Sequence, residues 1–461
     1  MRVRDVAATS VGTCLALAIV TAPAPAHAGG YSVHVVGQAQ AAWTDNLFSV
    51  PEERDPGSTL PPYEGDLYYQ LRPGALVAYE TPRTVHHLSY DIEANLYTEH
   101  TEAWSLQHIA GWRGFFLTSP RSELGASAQF STGELNALST RSAASDGMVP
   151  VVPAGGSTFV SIDVGENLNY TATRDVRLTQ GLRARRFMTT DALETESDGI
   201  EIGGNLGADR GWQYSAASIQ VSTSFVTLER VAAMAPIESN DQVNASTILS
   251  WRRDFGVRWS ALLDAGVTGI IPLDEGDQLV IQPTIGGQVG YFPNWGSAGL
   301  SIRRSVAPNL YLAQNTITDS AVANAWLPLP WLASDPHQPK LSAQGTFGAS
   351  RTRLIDTSTG DIESGFDVYA GDVALNYVPR DGVTVAVRFQ HLRQVADESA
   401  AMEVLGYARN TIMVSVAGRF PDRLAAEVPM RSSLRVDRSN VTPVGEEVAP
   451  AQAPGGGGGG P

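Results

Sequence analysis

The fold class this sequence predicts is all-β: a transmembrane, antiparallel, up-and-down β-barrel of about 18 strands, with 16 to 20 compatible. Three observations predict it. Apolar and small polar residues alternate with period two from Tyr31 to Phe420, tight-turn chemistry recurs about every forty residues, and the chain is polar without being charged. Of 461 residues 43% are hydrophobic and only 17% charged, with 45 glycines and one cysteine. A soluble helical enzyme carries nearer a quarter of charged residues. The net charge of −16 excludes a nucleic-acid coat and a polybasic membrane tether.

The N-terminus reads as an export signal, residues 1–28. Met1, Arg2 and Arg4 form a positive start, Val11 to Val20 is mostly apolar, and Ala26-His27-Ala28 is a small-x-small cleavage pattern before Gly29. Cys14 leaves with it, so the mature chain has no disulfide, thiolate metal site or cysteine nucleophile. No later run of about 18 apolar residues offers a transmembrane helix.

From residue 29 to 420 the strands follow. Between Gln278 and Tyr291, Leu279, Ile281, Pro283, Ile285, Gly287, Val289 and Tyr291 share one face, and Gln282, Thr284, Gly286, Gln288 and Gly290 the other. Val257 to Ile271 and Val383 to Gln390 repeat the pattern. Strands of a soluble sandwich average five or six residues, whereas segments of nine or more suit a bilayer.

Turns are expected at Thr81-Pro82-Arg83, Ser119-Pro120-Arg121, Thr173-Arg174-Asp175, Asp209-Arg210-Gly211, Arg252-Arg253-Asp254, Pro293-Asn294-Trp295, around Ser334, and at Pro379-Arg380-Asp381-Gly382, with Pro421-Asp422 closing the series. Eight internal turns join nine strand pairs. Longer connections, such as Asp45 to Glu64 and Asn136 to Gly156, lie at the other end. Short turns and both termini are therefore expected in the periplasm. Aromatic residues beside the short turns, among them Trp212, Trp251, Tyr291, Trp295 and Phe420, are expected as a membrane-interface girdle.

Residues Ala41-Ala42-Trp43-Thr44-Asp45-Asn46-Leu47-Phe48, with Arg72-Pro73-Gly74-Ala75-Leu76-Val77-Ala78-Tyr79 and Leu88-Ser89-Tyr90, resemble the opening strands of Gram-negative outer-membrane β-barrel proteins associated with exopolysaccharide export. The resemblance is specific over about the first hundred mature residues and architectural beyond. Asn410 to Phe420, with Ile412, Val414, Val416 and Gly418 alternating, is similar to a barrel assembly signal, although 421–461 follow it here. It implies an integral outer-membrane location and outer-membrane lipid, the barrel assembly machinery and a periplasmic polysaccharide-export component as partners. The tail, with its run Gly455 to Gly460, reads as a disordered Gly/Pro-rich periplasmic segment.

A barrel of this size encloses an aqueous lumen. Strand pattern begins by Ser32, so no plug domain is expected ahead of it. Alternation assigns Arg72, Asp91, Glu93, Arg113, Arg177, Arg183, Arg185, Arg258, Asp264 and Arg388 to the pore lining, along with Asn95, Asp163, Glu201, Arg252, Arg303 and Arg419. Arginines outnumber acids in that set. Opposed arginines and acids would give the transverse field of a diffusion porin, a more continuous arginine lining would suit an anionic polymer, and a composition that simply prefers arginine would solvate any lumen. Glu166, Arg186, Arg304 and Asp319 fall on the lipid phase, which requires either register-shifting bulges or positions near an interface.

Chemistry is weakly signalled. Glu99-His100 with Glu102 is a small cluster at an outer strand end, His86 and Ser89 point to opposite strand faces, and Gly203-Gly204-Asn205-Leu206-Gly207 lacks the Lys-Ser/Thr of a phosphate loop. No enzyme activity, cofactor or metal site is expected. The expected function is a water-filled path for hydrophilic cargo, foremost exopolysaccharide export. The alternatives are a general diffusion porin for small solutes and a structural or surface-binding barrel with a blocked lumen.

Overall fold

A computed structural model describes residues 30–52, 63–135, 157–190, 196–231, 238–273, 278–293, 295–309, 314–329, 340–355, 362–380, 382–396 and 406–420. The signal segment with Cys14, Asn294, Trp331, the stretch around Ser334 and the tail lie outside them.

Eighteen strands form one closed sheet. They are β1 (Gly30–Thr44), β2 (Asp66–Glu80), β3 (Thr84–Tyr97), β4 (Ser105–Ser119), β5 (Ser122–Leu135) and β6 (Ser157–Thr171). Next come β7 (Val176–Thr190), β8 (Glu196–Gly211), β9 (Ser215–Val231), β10 (Glu238–Phe255), β11 (Trp259–Pro272) and β12 (Val280–Tyr291). The last are β13 (Ser297–Asn309), β14 (Gln314–Leu329), β15 (Leu341–Ile355), β16 (Ile362–Arg380), β17 (Val383–Ala396) and β18 (Tyr407–Phe420). Each pairs antiparallel with its chain neighbours, and β1 closes the barrel on β18 from Val35↔Phe420 to Thr44↔Thr411. Lengths run from 12 to 19 residues, enough to cross an apolar band about 25 Å tall at a tilt.

Two expected turns shift. Asp209-Arg210-Gly211 completes β8 and the chain reverses at 212–214; Arg252-Arg253-Asp254 belongs to β10 and the reversal is at 256–258. Gly256 has φ +70°, a conformation that L side chains resist, so the turn sits at the glycine rather than at the charged triplet before it. Arg258 is consequently an exposed turn residue and does not line the pore.

The outward phase is a continuous apolar surface. Val35, Leu206, Ile285 and Phe347 are 60–66% exposed there, and similar side chains stand outward on the other strands. A water-facing surface does not carry an apolar patch of this extent, whereas a bilayer-spanning barrel must. Aromatics collect at the short-turn end: Tyr291 packs on Trp259 at 4.4 Å between centroids and edge-on to Trp295 at 6.5 Å, and Tyr31 lies 4.6 Å from Tyr79. Trp212 and Phe420 are exposed at that end, and Trp251 faces outward four residues before the end of β10.

The wall parts at one place. β12 pairs with β13 only from Ile285↔Arg304 to Tyr291↔Ala298, so Val280–Thr284 and Ser305–Asn309 have no ladder between them. Pro283 and Pro308 sit on these two edges, and proline lacks the donor a ladder needs. Pro73 has the same effect on a smaller scale, where the β2–β3 ladder skips from Leu71↔Ala94 to Gly74↔Asp91.

Above the parting the two edges overlap. Gln242, Ile270 and Val280 share the inward phase of β10–β12, while Asn315, Ile317 and Ile355 share the outward phase of β13–β15. Yet these side chains are packed together: Gln242 and Asn315 exchange amide hydrogen bonds of 2.6 Å in each direction, and Ile270, Val280, Ile317 and Ile355 form one buried cluster with Val306 against it. The outer ends of β13–β15 thus tuck inside those of β10–β12.

Candidate functional site: the lumen wall and its outer mouth

The inward phase places Arg72, Asp91, Glu93, Arg113, Arg177, Arg183, Arg185, Asp264 and Arg388 on the lumen wall. What alternation could not show is how they pair. Arg72 donates to Asp91 at 3.5 Å and Gln70 to Glu93 at 2.8 Å. Arg183 grips Asp163, with its Nε 3.1 Å from Oδ2, and Arg185 pairs with Glu201 directly across the ladder. Arg388 lies 3.5 Å from Asp372.

Each pair joins neighbouring strands of the same wall. For Arg72, Arg183, Arg185 and Arg388 the acid partner is therefore beside the arginine and not across the lumen, so these four contribute neither a transverse field nor a continuous arginine lining. Paired charges a few ångströms apart cancel over a Debye length of about 8 Å. Close approach is built in: a Cβ on Gly74 would stand 2.0 Å from Asp91 Oδ1, so glycine there leaves room for the carboxylate that Arg72 uses. Between these pairs and the further charges Arg113, Arg177 and Asp264 the wall is polar, with Asn95 donating to Ser105 at 3.0 Å and Ser222 bonded to Ser246 at 2.7 Å.

The outer mouth is narrowed by the segment after β1. Asn46, Leu47, Ser49 and Val50 are all buried, and Leu47 packs on Ala42, Tyr68, Tyr97 and Met413. Asp45 accepts from the Asn410 backbone N–H at 2.7 Å and from its Nδ2 at 2.6 Å, tying the end of β1 to β18. The Asn46 amide donates to the carbonyls of Val50 (2.8 Å) and Ala408 (2.9 Å) and accepts from the Val50 N–H (3.1 Å). Ser49 holds φ +53°, and Arg409 donates to its hydroxyl at 3.1 Å. The Trp43 to Phe48 motif is thus a clasp across the β1–β18 closure.

His100 does not gather with Glu99 through its ring. Its Nε2 lies 2.9 Å from Glu64 and its Nδ1 3.3 Å from Asp66. Asp66 also accepts from the Thr98 hydroxyl at 2.6 Å and from the backbone N–H groups of Glu99 and His100. Both ring nitrogens are occupied, and no cluster of three or more metal-ligating side chains occurs among the described residues. Burial alone would lower the imidazole pKa, but the hydrogen bonds and charges of Glu64 and Asp66 outweigh it and raise it.

The sign of the linkage follows. Stabilisation by charged His100 is fully present below its unfolded pKa of about 6.5 and is lost as pH rises through the raised folded value. Hydrogen-exchange protection of the Glu99 and His100 amides is expected to fall as pH rises above about 6.5, after correction for intrinsic exchange. His100→Gln should flatten that dependence; equal slopes in both proteins would contradict it.

The lipid-phase charges keep their register. Glu166 accepts from Gln180 at 3.3 Å, Arg186 Nε donates to Asp198 at 3.0 Å near the outer strand ends, and Arg304 pairs with its ladder partner Asp319 at 2.6 Å. Bulges do not explain them; pairing does. His86 faces outward among Tyr79, Trp112 and Phe116, while Ser89 faces inward and donates to the Gly111 carbonyl at 3.5 Å.

Neither a family model nor a curated protein sequence matches this chain. Among solved structures, the FrpB iron transporter from Neisseria meningitidis overlaps 86% of this chain and 82% of its own at 10% identity, TM-score 0.49. The alcaligin outer-membrane receptor FauA from Bordetella pertussis overlaps 84% and 76% at 9% identity, TM-score 0.42. The ferric-catecholate import receptor Fiu from E. coli K12 overlaps 84% and 81% at 8% identity, TM-score 0.44. At these values no residue role passes from those proteins to this chain.

Proposed function

We propose that this chain is an integral outer-membrane barrel, and not an enzyme, that gives polar, largely uncharged cargo, saccharides foremost, a water-filled path across the outer membrane. The observation that carries the reading is the contrast between the two faces of one wall. The outside is predominantly apolar, and the inside is largely Ser, Thr, Gln, Asn and Gly, with Arg72, Arg183, Arg185 and Arg388 neutralised beside acids. A neutral polar wall exchanges hydrogen bonds with hydroxyl-rich cargo without holding ions.

In this reading the short turns and both strand termini face the periplasm, and β18, ending in outward Phe420, is the strand presented to the barrel assembly machinery. Exopolysaccharide export through a periplasmic partner is the finer form of the proposal. It rests now on the wall chemistry, because the Trp43 to Phe48 motif has a structural task. A blocked-lumen surface barrel is the competing reading, favoured by the two segments that fold inward at the outer mouth.

Planar-bilayer conductance and liposome swelling test this. Open current with weak ion selectivity, and swelling in neutral oligosaccharides that exceeds swelling in acidic ones of equal size, are expected. An absence of current and of swelling would overturn the channel. Normal surface polysaccharide in a deletion strain would overturn the export form alone.

A further inference from the structure

The two ends of the barrel carry opposite charge. By sequence no long connection is net basic, and 45–66 holds six acids against one arginine, 397–406 three acids and no base. The short turns are the reverse. Arg83, Arg121, Arg174 and Arg258 stand exposed in the turns after β2, β4, β6 and β10. Arg210, Arg253 and Arg380 are exposed at the same end, on the outward phase of β8, β10 and β16.

The acids of this end point the other way. Glu80, Glu123, Asp209 and Asp254, close to the same turns, belong to the inward phase. Asp175 stands in a turn, and Asp335 and Asp381, in the connections after β14 and β16, lie outside the described residues. Counting those three acids against the seven arginines and Lys340, the outer circumference of this end keeps an excess of five positive charges on a chain of net −16. The segment 421–461, which follows β18 at the same end, has four arginines against five acids and does not reverse that excess.

None of the seven arginines joins an ion pair among the described residues, unlike Arg72, Arg183, Arg185 and Arg388 in the wall. Two of them are held at a defined level. Arg210 lies over the Trp212 ring, 5.5 Å from its centroid, and Arg253 over the Phe255 ring at 5.2 Å. Such rings settle among lipid headgroups, so a guanidinium stacked on them stands at the depth of the phosphates.

We propose that this end is a collar for anionic phospholipid of the periplasmic leaflet, whose phosphates sit on the exposed guanidinium groups around the barrel. The planar guanidinium fork matches phosphate, and a charge at the headgroup level lies within a Debye length of it. Placement selects lipid over an acidic protein. The arginines are spread over six turns from β2–β3 to β16–β17 instead of gathering on one arc, and only the bilayer meets a barrel all the way round. The inference rests on the membrane reading and on the periplasmic orientation of the short turns proposed above.

The test is electron spin resonance of the full chain in phosphatidylcholine bilayers, with spin-labelled phosphatidylglycerol or phosphatidylcholine at trace level. A basic residue at a membrane surface favours an anionic lipid about fivefold, and only one leaflet meets the collar, so about threefold more phosphatidylglycerol than phosphatidylcholine is expected beside the barrel. Salt at about 1 M should abolish the preference in the unaltered chain. Replacing Arg83, Arg121, Arg174, Arg210 and Arg253 together by Gln should do the same, and replacing them by Lys should keep it. Unshifted electrophoretic mobility of the unheated barrel confirms that each variant is folded.

Equal restriction of the two lipids, a preference indifferent to salt, or one unchanged in the Gln variant would overturn the collar while leaving the membrane reading intact. Polyglutamate bound by a chain that shows no lipid preference would overturn it in favour of a protein-docking face. Labelling of Gln213→Cys by a membrane-impermeant thiol reagent in intact cells would overturn the orientation and with it the choice of leaflet. A chain that stays soluble and monomeric without detergent would overturn the membrane reading itself.

Discussion

Asn46→Ala is expected to lower the barrel's unfolding free energy by about 2–4 kcal/mol, the largest single-residue effect outside the apolar packing. The carboxamide serves three backbone groups, the Val50 N–H and the carbonyls of Val50 and Ala408, and the side chain is fully buried. Truncation leaves those groups without partners in a place water does not reach, and an orphaned buried group costs about 1–3 kcal/mol. The same bonds hold the segment that bridges β1 and β18, so the loss falls on the strand pair that closes the barrel.

Urea unfolding in lipid vesicles measures it, and limited proteolysis locates it. Asn46→Ala should lower the midpoint and open a cleavage site between Asp45 and Glu52. Gln38→Ala, on the inward face of β1 away from the clasp, should do neither. Asn46→Asp is expected to resemble the alanine variant, because it keeps one acceptor, loses both donated bonds and sets a negative charge against two carbonyl oxygens. A midpoint unchanged in Asn46→Ala would refute the clasp.

The second large effect concerns ion selectivity. Arg183→Ser combined with Arg185→Ser removes two positive charges and exposes Asp163 and Glu201, which those arginines now neutralise. A lumen lined by arginines acting as free cations would merely lose anion preference. A lumen of neutralised pairs should instead become cation-selective. At about 1 kcal/mol for an unscreened charge in water, the cation-to-anion permeability ratio should rise roughly fivefold. Reversal potentials under a salt gradient read it directly, and the shift should shrink at high salt as screening grows. A wild-type channel with strong anion selectivity, or a double variant with unaltered reversal potential, would contradict the pairing.

Much of the architecture was legible because strand alternation is a local property. Once Ile285 is outward, Gly286 must be inward, and the same step carried along the chain gave the phase of Arg72, Asp91, Arg183, Arg185 and Arg388. Arg258 failed because its position in a turn depends on where Gly256 reverses the chain, a matter of one or two residues. The placement of Trp212, Tyr291 and Trp295 at the short-turn end was legible for a related reason, since turns and their flanking aromatics are neighbours in sequence.

The electrostatics of the lumen were not legible. Arg183 and Asp163 are twenty residues apart, on two strands joined by a short turn, and only their register decides whether the two side chains touch. His100 looked like a partner of Glu99 and is held instead by Glu64 and Asp66, at the outer start of the adjoining strand β2. The parted seam left a trace in the sequence, Pro283 and Pro308, but that these prolines stand on adjoining edges is a fact about pairing.

The sequence by itself determined a barrel, its strand number and which face of each strand meets lipid, because these depend on period two and on turn residues a few positions apart. Only the tertiary structure decided what the charges do. Neutralisation of four lumen arginines, the clasp across β1 and β18 and the overlapping seam all depend on distances between residues far apart in the chain. Hydrogen bonds form only within about 3.5 Å and charges interact appreciably only within about a Debye length, so spacing along the sequence carries little information about them until the strands are paired.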